Sequence, residues 1–255
     1  MFVDLHCHTK KSYDGFTTYS ELLFACKAKN ISAIGVTEHD VLDQYIDNYF
    51  KKSDLNIIKG CEFTTNLGAH IIGLFIDEAK PKDDRLMSII DYIISLNGLI
   101  LVPHPYKDNT GLLKIYSDYS FLEKCNLIEI VNGGTNETEE EKINLMSLSN
   151  RYDLRIVSGS DSHKVNQIGY YVNKYIKNGD SLYDIIKHQN PVIYYDANFK
   201  SAPRELYNFQ KSQIYQALIK FSSVKIRRWI KLIFNMIFKY RLQIRTPKYK
   251  KLDIL

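Results

Sequence analysis

Phe2-Val3-Asp4-Leu5-His6-Cys7-His8 is a hydrophobic, strand-like run that closes on two histidines. Alternate side chains of a strand face the same side, so His6 and His8 can reach one ion together while Cys7 points the other way. The same pattern, an apolar run ending in a metal-ligand residue type, returns further along the chain. It is seen in Ile34-Gly35-Val36-Thr37-Glu38-His39-Asp40, Ile57-Ile58-Lys59-Gly60-Cys61-Glu62 and Ala69-His70-Ile71-Ile72-Gly73. It recurs in Leu101-Val102-Pro103-His104-Pro105 and Ile156-Val157-Ser158-Gly159-Ser160-Asp161-Ser162-His163, so six of the 7 histidines sit in such runs. Parallel barrels carry their chemistry at the C-terminal ends of strands, so these ligands are expected to converge on one polynuclear metal site. His188, in a helical stretch away from any cluster, reads as a surface or packed histidine.

Working outward, the pattern predicts strands at about 2 to 7, 32 to 37, 56 to 62, 70 to 76, 99 to 103, 126 to 131 and 155 to 159. Helices are expected at about 19 to 30, from Pro81 to about 97, at about 111 to 124 and at about 137 to 151, with a tight turn at Asn66-Leu67-Gly68. Seven strands alternating with helices predict an α/β fold, a distorted seven-stranded (β/α)7 TIM-like barrel. A short strand at Gly169 to Val172, a helix from Ser181 to His188 and an edge strand from Val192 to Tyr195 follow it. At 255 residues, 45% hydrophobic and 25% charged, the chain fits one well-buried soluble domain and excludes a disordered or collagen-like class.

Charge is distributed unevenly. Of the 34 basic and 29 acidic residues, 12 and one lie from position 206 onward, leaving 22 and 28 before it, a tail of +11 on a body of −6. Residues 1–200 are therefore expected to form the barrel and 201–255 a basic amphipathic helical extension. Its apolar residues Ile214, Leu218, Phe221, Ile226, Trp229, Ile230, Ile233, Met236, Ile237 and Tyr240 fall close to helical spacing. Its uncharged runs, such as Leu232 to Phe238, are far below the roughly 20 residues that span a bilayer. Three partners stay open for residues 210–251: an anionic membrane surface, the acidic body or a second subunit, and nucleic acid. Cys7, Cys26, Cys61 and Cys125 form no CxxC pair, which predicts a reducing compartment, with Cys7 and Cys61 as core packing. Met1 runs straight into the first strand, so no export signal is expected and the location is cytoplasmic, peripheral on the inner membrane face if the tail binds lipid.

Together these residues resemble the polymerase and histidinol phosphatase (PHP) family of metal-dependent phosphoesterases. Asp4-Leu5-His6-Cys7-His8-Thr9 resembles its first motif, Ser12-Tyr13-Asp14-Gly15 the continuation and Thr37-Glu38-His39-Asp40 the second. Gly60-Cys61-Glu62 is similar to the bridging-glutamate motif, Pro103-His104-Pro105 to the third histidine motif and Gly159-Ser160-Asp161-Ser162-His163 to the last. The resemblance covers positions 1 to 200. It implies two or three divalent ions, Zn, Mn or Fe. One would sit on His6, His8, Glu62 and Asp161, a second on Glu62, His70 and His104, and a third on Asp14, His39 and His163. Asp14 departs from the histidine of many relatives and is a harder oxygen ligand.

Such a cluster hydrolyses phosphate esters: the ions hold a bridging water as hydroxide, clamp phosphate oxygens and stabilise an in-line displacement. Catalysis is expected to rest on Glu62, Asp161 and Asp40, the last as an orienting partner of His39 or a proton acceptor. Lys10, Lys11, Tyr13 and Lys164 are the expected substrate contacts. Amidohydrolases also place HxH on a barrel, so the complete set carries the reading. A small phosphomonoester (nucleotide, sugar phosphate or histidinol phosphate) is the leading substrate, a nuclease the alternative, and a non-catalytic docking module with structural metals the third possibility.

Overall fold

The structure, a computed structural model, describes residues 1–199 and 246–254. Ten strands form one sheet: β1 (Phe2–Cys7), β2 (Ile31–His39), β3 (Asn56–Thr64), β4 (His70–Leu74), β5 (Leu99–Val102), β6 (Leu127–Asn132), β7 (Arg155–Gly159), β8 (Tyr171–Lys174), β9 (Val192–Asp196) and β10 (Tyr249–Lys251). Their order is β10-β9-β8-β1-β2-β3-β4-β5-β6-β7. The helices are α1 (Tyr19–Ala28), α2 (Ile46–Phe50), α3 (Leu86–Ser95), α4 (Leu112–Ile115), α5 (Glu139–Tyr152) and α6 (Leu182–His188), with a 3-10 turn at Ser120–Lys124. The expected α/β class holds; where a distorted seven-stranded (β/α)7 TIM-like barrel was expected, the described residues form a ten-stranded mixed sheet.

Two departures explain the difference. First, β4 runs antiparallel to both β3 and β5. The Asn66-Leu67-Gly68 turn is too short for a parallel crossover, which needs a dozen or more residues, so β3 and β4 can only form a hairpin. Second, β1 and β7 share no ladder, and β1 meets the segment after β7 through an isolated bridge, Cys7 to Ser162. Side chains fill the seam. Asn173 on β8 accepts from Ser158 N at 2.9 Å and donates to Ser158 O at 2.8 Å and Val3 O at 3.3 Å. Ser160 N donates to Asp4 Oδ1 at 3.1 Å, and Ser160 Oγ donates to the His6 carbonyl at 3.1 Å.

Helix limits follow local chemistry. Thr18 with Glu21, and Thr138 with Glu141, form capping boxes that start α1 and α5. The helix expected from Pro81 starts only at Leu86, because the Asp83 carboxylate accepts from Arg85 N at 3.0 Å and holds Arg85 extended as the N-cap. The helix expected over 111 to 124 is split. Asp118 accepts from Ser120 N and Oγ, both at 2.9 Å, and restarts the chain as the 3-10 turn.

A compact unit comprises Met1–Ala197 with Ile244–Leu255, and a second comprises Asn198–Gln243. The amphipathic helix expected within 210–245 lies outside the described residues. Beyond it the chain is not helical: Tyr249–Lys251 is a strand paired antiparallel with β9, so β9 is an interior strand and not the expected edge. Pro247 rules out helix continuation here, and Tyr249 packs its ring 5.0 Å from that of Phe2. Among the described residues no helix is long and apolar enough to cross a membrane.

Candidate metal centre

One end of the sheet collects the sequence-selected ligands. His6 and His8 close β1, His39 ends β2, Glu62 lies in β3, His104 follows β5, and Asp161 and His163 follow β7. His70 starts β4, and because β4 is antiparallel its first residue is the one at this end. Asp14 arrives on the loop after β1. His104 and Asp161 both hold positive φ, 29° and 47°, a conformation that non-glycine residues adopt at a cost of about 1–3 kcal/mol and that clusters at functional sites.

Glu62 stands at the centre and is 1% exposed. Its Oε1 lies 2.9 Å from both His70 Nδ1 and His104 Nε2. Its Oε2 lies 3.2 Å from His39 Nδ1, 3.3 Å from His8 Nε2 and 3.5 Å from His6 Nε2. Asp161 Oδ1 is 3.5 Å from Nε2 of both His6 and His8. Asp14 Oδ2 is 3.0 Å from His163 Nε2 and 3.4 Å from His39 Nε2.

These separations are those of neighbours around a common cation. Ligand atoms about 2.1 Å from one ion stand roughly 3–3.4 Å from each other in octahedral or tetrahedral arrangements. Four groups bring one ligand atom from each residue to within 4.8 Å of one another: His8, Asp14, His39 and His163; His6, His8 and Asp161; His6, Glu62 and His104; His39, Glu62 and His70. The grouping shares His6, His8 and His39 between neighbouring sets, where the family resemblance gives each histidine to one ion. The donor set also fits a cation by what it leaves unsatisfied. His6 Nε2 and His8 Nε2 face each other at 3.1 Å, and Asp14 Oδ1 is buried without a hydrogen-bond partner. Buried polar atoms left this way are costly unless something absent from the protein chain completes them.

Electrostatics agree. Burial alone would raise the Glu62 and Asp161 carboxyls, yet both lie well below the ordinary range: His6 and His104 hold Glu62 down, and Lys107 and His6 hold Asp161 down. Burial would lower His6, but Asp161, Glu129 and Glu62 raise it well above its ordinary value. Asp14, pushed up by burial, is brought far below the usual range by hydrogen bonds from His163 and His39. The pocket is an assembly of charged carboxylates that attracts protons or cations.

The remaining residues sort by contact. Asp40 does not orient His39: its carboxylate accepts from Thr64 N at 2.7 Å and Thr64 Oγ1 at 2.8 Å. Tyr13 is 71% exposed, its ring stacked 5.0 Å from that of His39, and burial of its hydroxyl with the Asp14 and Glu62 charges pushes its pKa up to about 12. Lys11 reaches Asp43 at 3.0 Å, Lys10 is exposed, and Lys164 lies half-buried with Nζ 5.9 Å from the Phe16 ring centre. His188 is exposed, and Cys7 and Cys61 are core residues.

Sequence reading missed Lys107, whose Nζ lies 2.9 Å from Asp161 Oδ2, and Glu129, which touches His6. Lys107 gave no signal; Glu129 did, as a lone charge in the apolar strand Leu127-Ile128-Glu129-Ile130-Val131. Ser12 and Glu38 were visible only as motif neighbours. Ser12 Oγ is 3.2 Å from His8 Nδ1 and accepts from His39 N at 2.9 Å, while Glu38 Oε2 accepts from Thr9 N at 3.0 Å and Ser12 N at 2.9 Å, shaping the turn after β1.

A family model described as the PHP domain matches residues 4–241. An uncharacterized protein of Methanocaldococcus jannaschii is 29% identical over 182 residues, 69% of this chain and 70% of that one. Among solved structures, a two-domain protein from Bacteroides vulgatus containing a predicted PHP-like metal-dependent phosphoesterase superposes with TM-score 0.62 at 16% identity, over 76% of this chain and 64% of its own. Endonuclease Q in complex with a 27-mer duplex bearing an abasic lesion superposes with TM-score 0.58 at 16% identity, over 73% of this chain and 55% of its own. The match thus spans less than two thirds of either solved chain, and at these identities the likeness is one of fold.

Proposed function

The chain belongs to the PHP domain family, and from that premise we propose that it is a metal-dependent hydrolase of a small phosphomonoester: a nucleotide, a sugar phosphate or histidinol phosphate. The observation that carries this reading is the convergence of His6, His8, His39, His70 and His104 on the one carboxylate of Glu62. His6, His8, Glu62, His70, His104 and Asp161 would hold two divalent ions, and Asp14, His39 and His163 a third. Those ions, Zn, Mn or Fe, would supply Lewis acidity and lower the pKa of a bound water. Glu62 bridges the set and keeps the histidine rings turned inward. Lys107, with its side chain 32% exposed, is a cation at the mouth able to swing from Asp161 to a phosphate oxygen. Tyr13 would offer an exposed ring for the leaving group, and Lys10 and Lys164, next to the first and last ligand motifs in sequence, would add positive charge.

Phosphate release should be followed on mononucleotides, sugar phosphates, histidinol phosphate and phosphotyrosine peptide with added Mn or Zn. Release that Glu62→Ala reduces to the buffer blank is the expected result. No turnover on any of them, in protein shown to hold its metals, removes the reading and favours a docking module.

A second reading, a nuclease, draws on the Endonuclease Q likeness and on the +11 carried from position 206 onward, and the same charge would serve an anionic membrane surface. Short single strands in the same panel decide it. Cleavage, together with binding whose logarithm falls with log salt by about 0.7 per neutralised phosphate, would favour the nuclease.

A further inference from the structure

Glu129 is fully buried at the centre of β6, yet it is neither a ligand of the cluster nor near the surface. Removing a carboxylate from water costs several kcal/mol unless its oxygens are met by donors. Three donors meet this one. Oε1 lies 3.0 Å from His6 Nδ1, while Oε2 accepts from the His104 backbone N at 2.8 Å and from Asn132 Nδ2 at 2.7 Å. Space for it depends on Gly159, where a Cβ would stand 2.0 Å from Glu129 Oε1 and 2.6 Å from His6 Cβ. A side chain at position 159 would evict the carboxylate from its contact with the histidine.

The direction of the His6 bond follows. A carboxylate has only acceptors, so His6 Nδ1 carries the proton and donates it, leaving a lone pair on Nε2. Nε2 is the atom that faces His8 Nε2 at 3.1 Å and Glu62 and Asp161 at 3.5 Å. The other oxygen fixes the backbone of His104, whose own Nε2 lies 2.9 Å from Glu62. One side chain thus ties β1, β6 and the segment after β5 to the same point.

We propose that Glu129 is a positioning residue that sets the tautomer of His6 and registers His6 against His104, so that both present Nε2 toward the Glu62 carboxylate, where the ions would be held. The inference rests on the metal-site reading of the cluster but not on any substrate. Glu129→Gln is the informative change: an amide offers one acceptor where three N–H groups point. Either His104 N and Asn132 lose their acceptor, or the amide NH2 faces His6 Nδ1 and moves the ring proton to Nε2.

The test is ring-nitrogen NMR of the zinc-loaded wild-type protein, with zinc titration by calorimetry on metal-free wild type and Glu129→Gln. Wild type should show His6 bound through Nε2 with an exchange-protected Nδ1 proton. The variant should lose that proton signal and bind zinc about 10- to 100-fold more weakly, with the fold retained by circular dichroism. His6 bound through Nδ1 in wild type overturns the proposal without any variant, and so does unchanged zinc affinity in folded Glu129→Gln. Failure of the phosphoesterase reading would appear separately, as wild-type protein that binds zinc with the stated tautomer and releases no phosphate.

Discussion

Lys107 governs substrate binding, and the titrating residues of the cluster govern how stability depends on pH. Lys107 balances Asp161 and reaches the mouth, so its removal should cost substrate binding more than turnover. Lys107→Met is expected to raise KM about tenfold, roughly 1.4 kcal/mol, with kcat within a few-fold; a fall in kcat at constant KM would assign it to the reacting step instead. Glu62 and Asp161 lie below their ordinary 4.5 and 3.8, so their stabilisation is present above those values and lost as pH falls through the folded ones. His6 and His163 lie above their ordinary 6.5, so theirs is present below 6.5 and lost as pH rises through the raised values. His104, lowered by burial and by Lys107, works against the histidine effect but stands alone. Metal-free protein should therefore have its highest Tm between pH 4.5 and 6.5, and zinc, which takes the place of the protons, should move the maximum above 6.5. A maximum above neutrality in chelator-treated protein would contradict the assigned shifts.

Elements explain which parts of the fold were legible. Strands with a full apolar run, such as β5 at Leu99–Val102, fall where the pattern places them, because burial on both faces demands continuous hydrophobicity. The ligands were legible for a related reason: a histidine or carboxylate at the end of such a run has no packing role to explain it. Helix starts were misplaced where an aspartate captured the backbone first, at Asp83 and Asp118. The closure of β1 against β7 could not be read, since it depends on a distant polar side chain, Asn173, standing in for a ladder. That substitution carries a measurable cost. Asn173→Ala leaves Ser158 N, Ser158 O and Val3 O buried without their partner, and should destabilise the protein by about 2–4 kcal/mol in denaturant unfolding. Thr138→Ala, which removes only a helix cap, should cost about 1 kcal/mol. Equal effects would mean that water replaces Asn173 in the seam.

At the scale of the whole molecule, the compact unit is not contiguous in sequence. Ala197 N donates to Lys248 O at 3.0 Å, and Lys248 N donates to Asp196 Oδ1 at 3.0 Å, so the chain leaves the sheet and returns to it at one place. Tyr249 then packs on Phe2 and donates to Gly169 O at 3.2 Å, and Leu252 N donates to Ile193 O at 2.9 Å. A domain boundary at 200, natural from the shift in charge, cuts this strand away with the basic segment. The consequence separates charge from fold. A chain truncated after Lys200 loses β10 and the half-buried Tyr249 ring with its contact to Phe2, and should be less stable by about 2–3 kcal/mol. For a protein of this size that lowers Tm by roughly 4–12 °C. Joining 197 to 248 through a few glycines, with 198–247 removed, keeps β10 and discards most of the same positive charge, so its Tm should stay within a few degrees of the full chain. If both deletions lower Tm alike, residues 198–247 stabilise the sheet unit themselves, and the acidic body is their partner rather than a membrane or a nucleic acid.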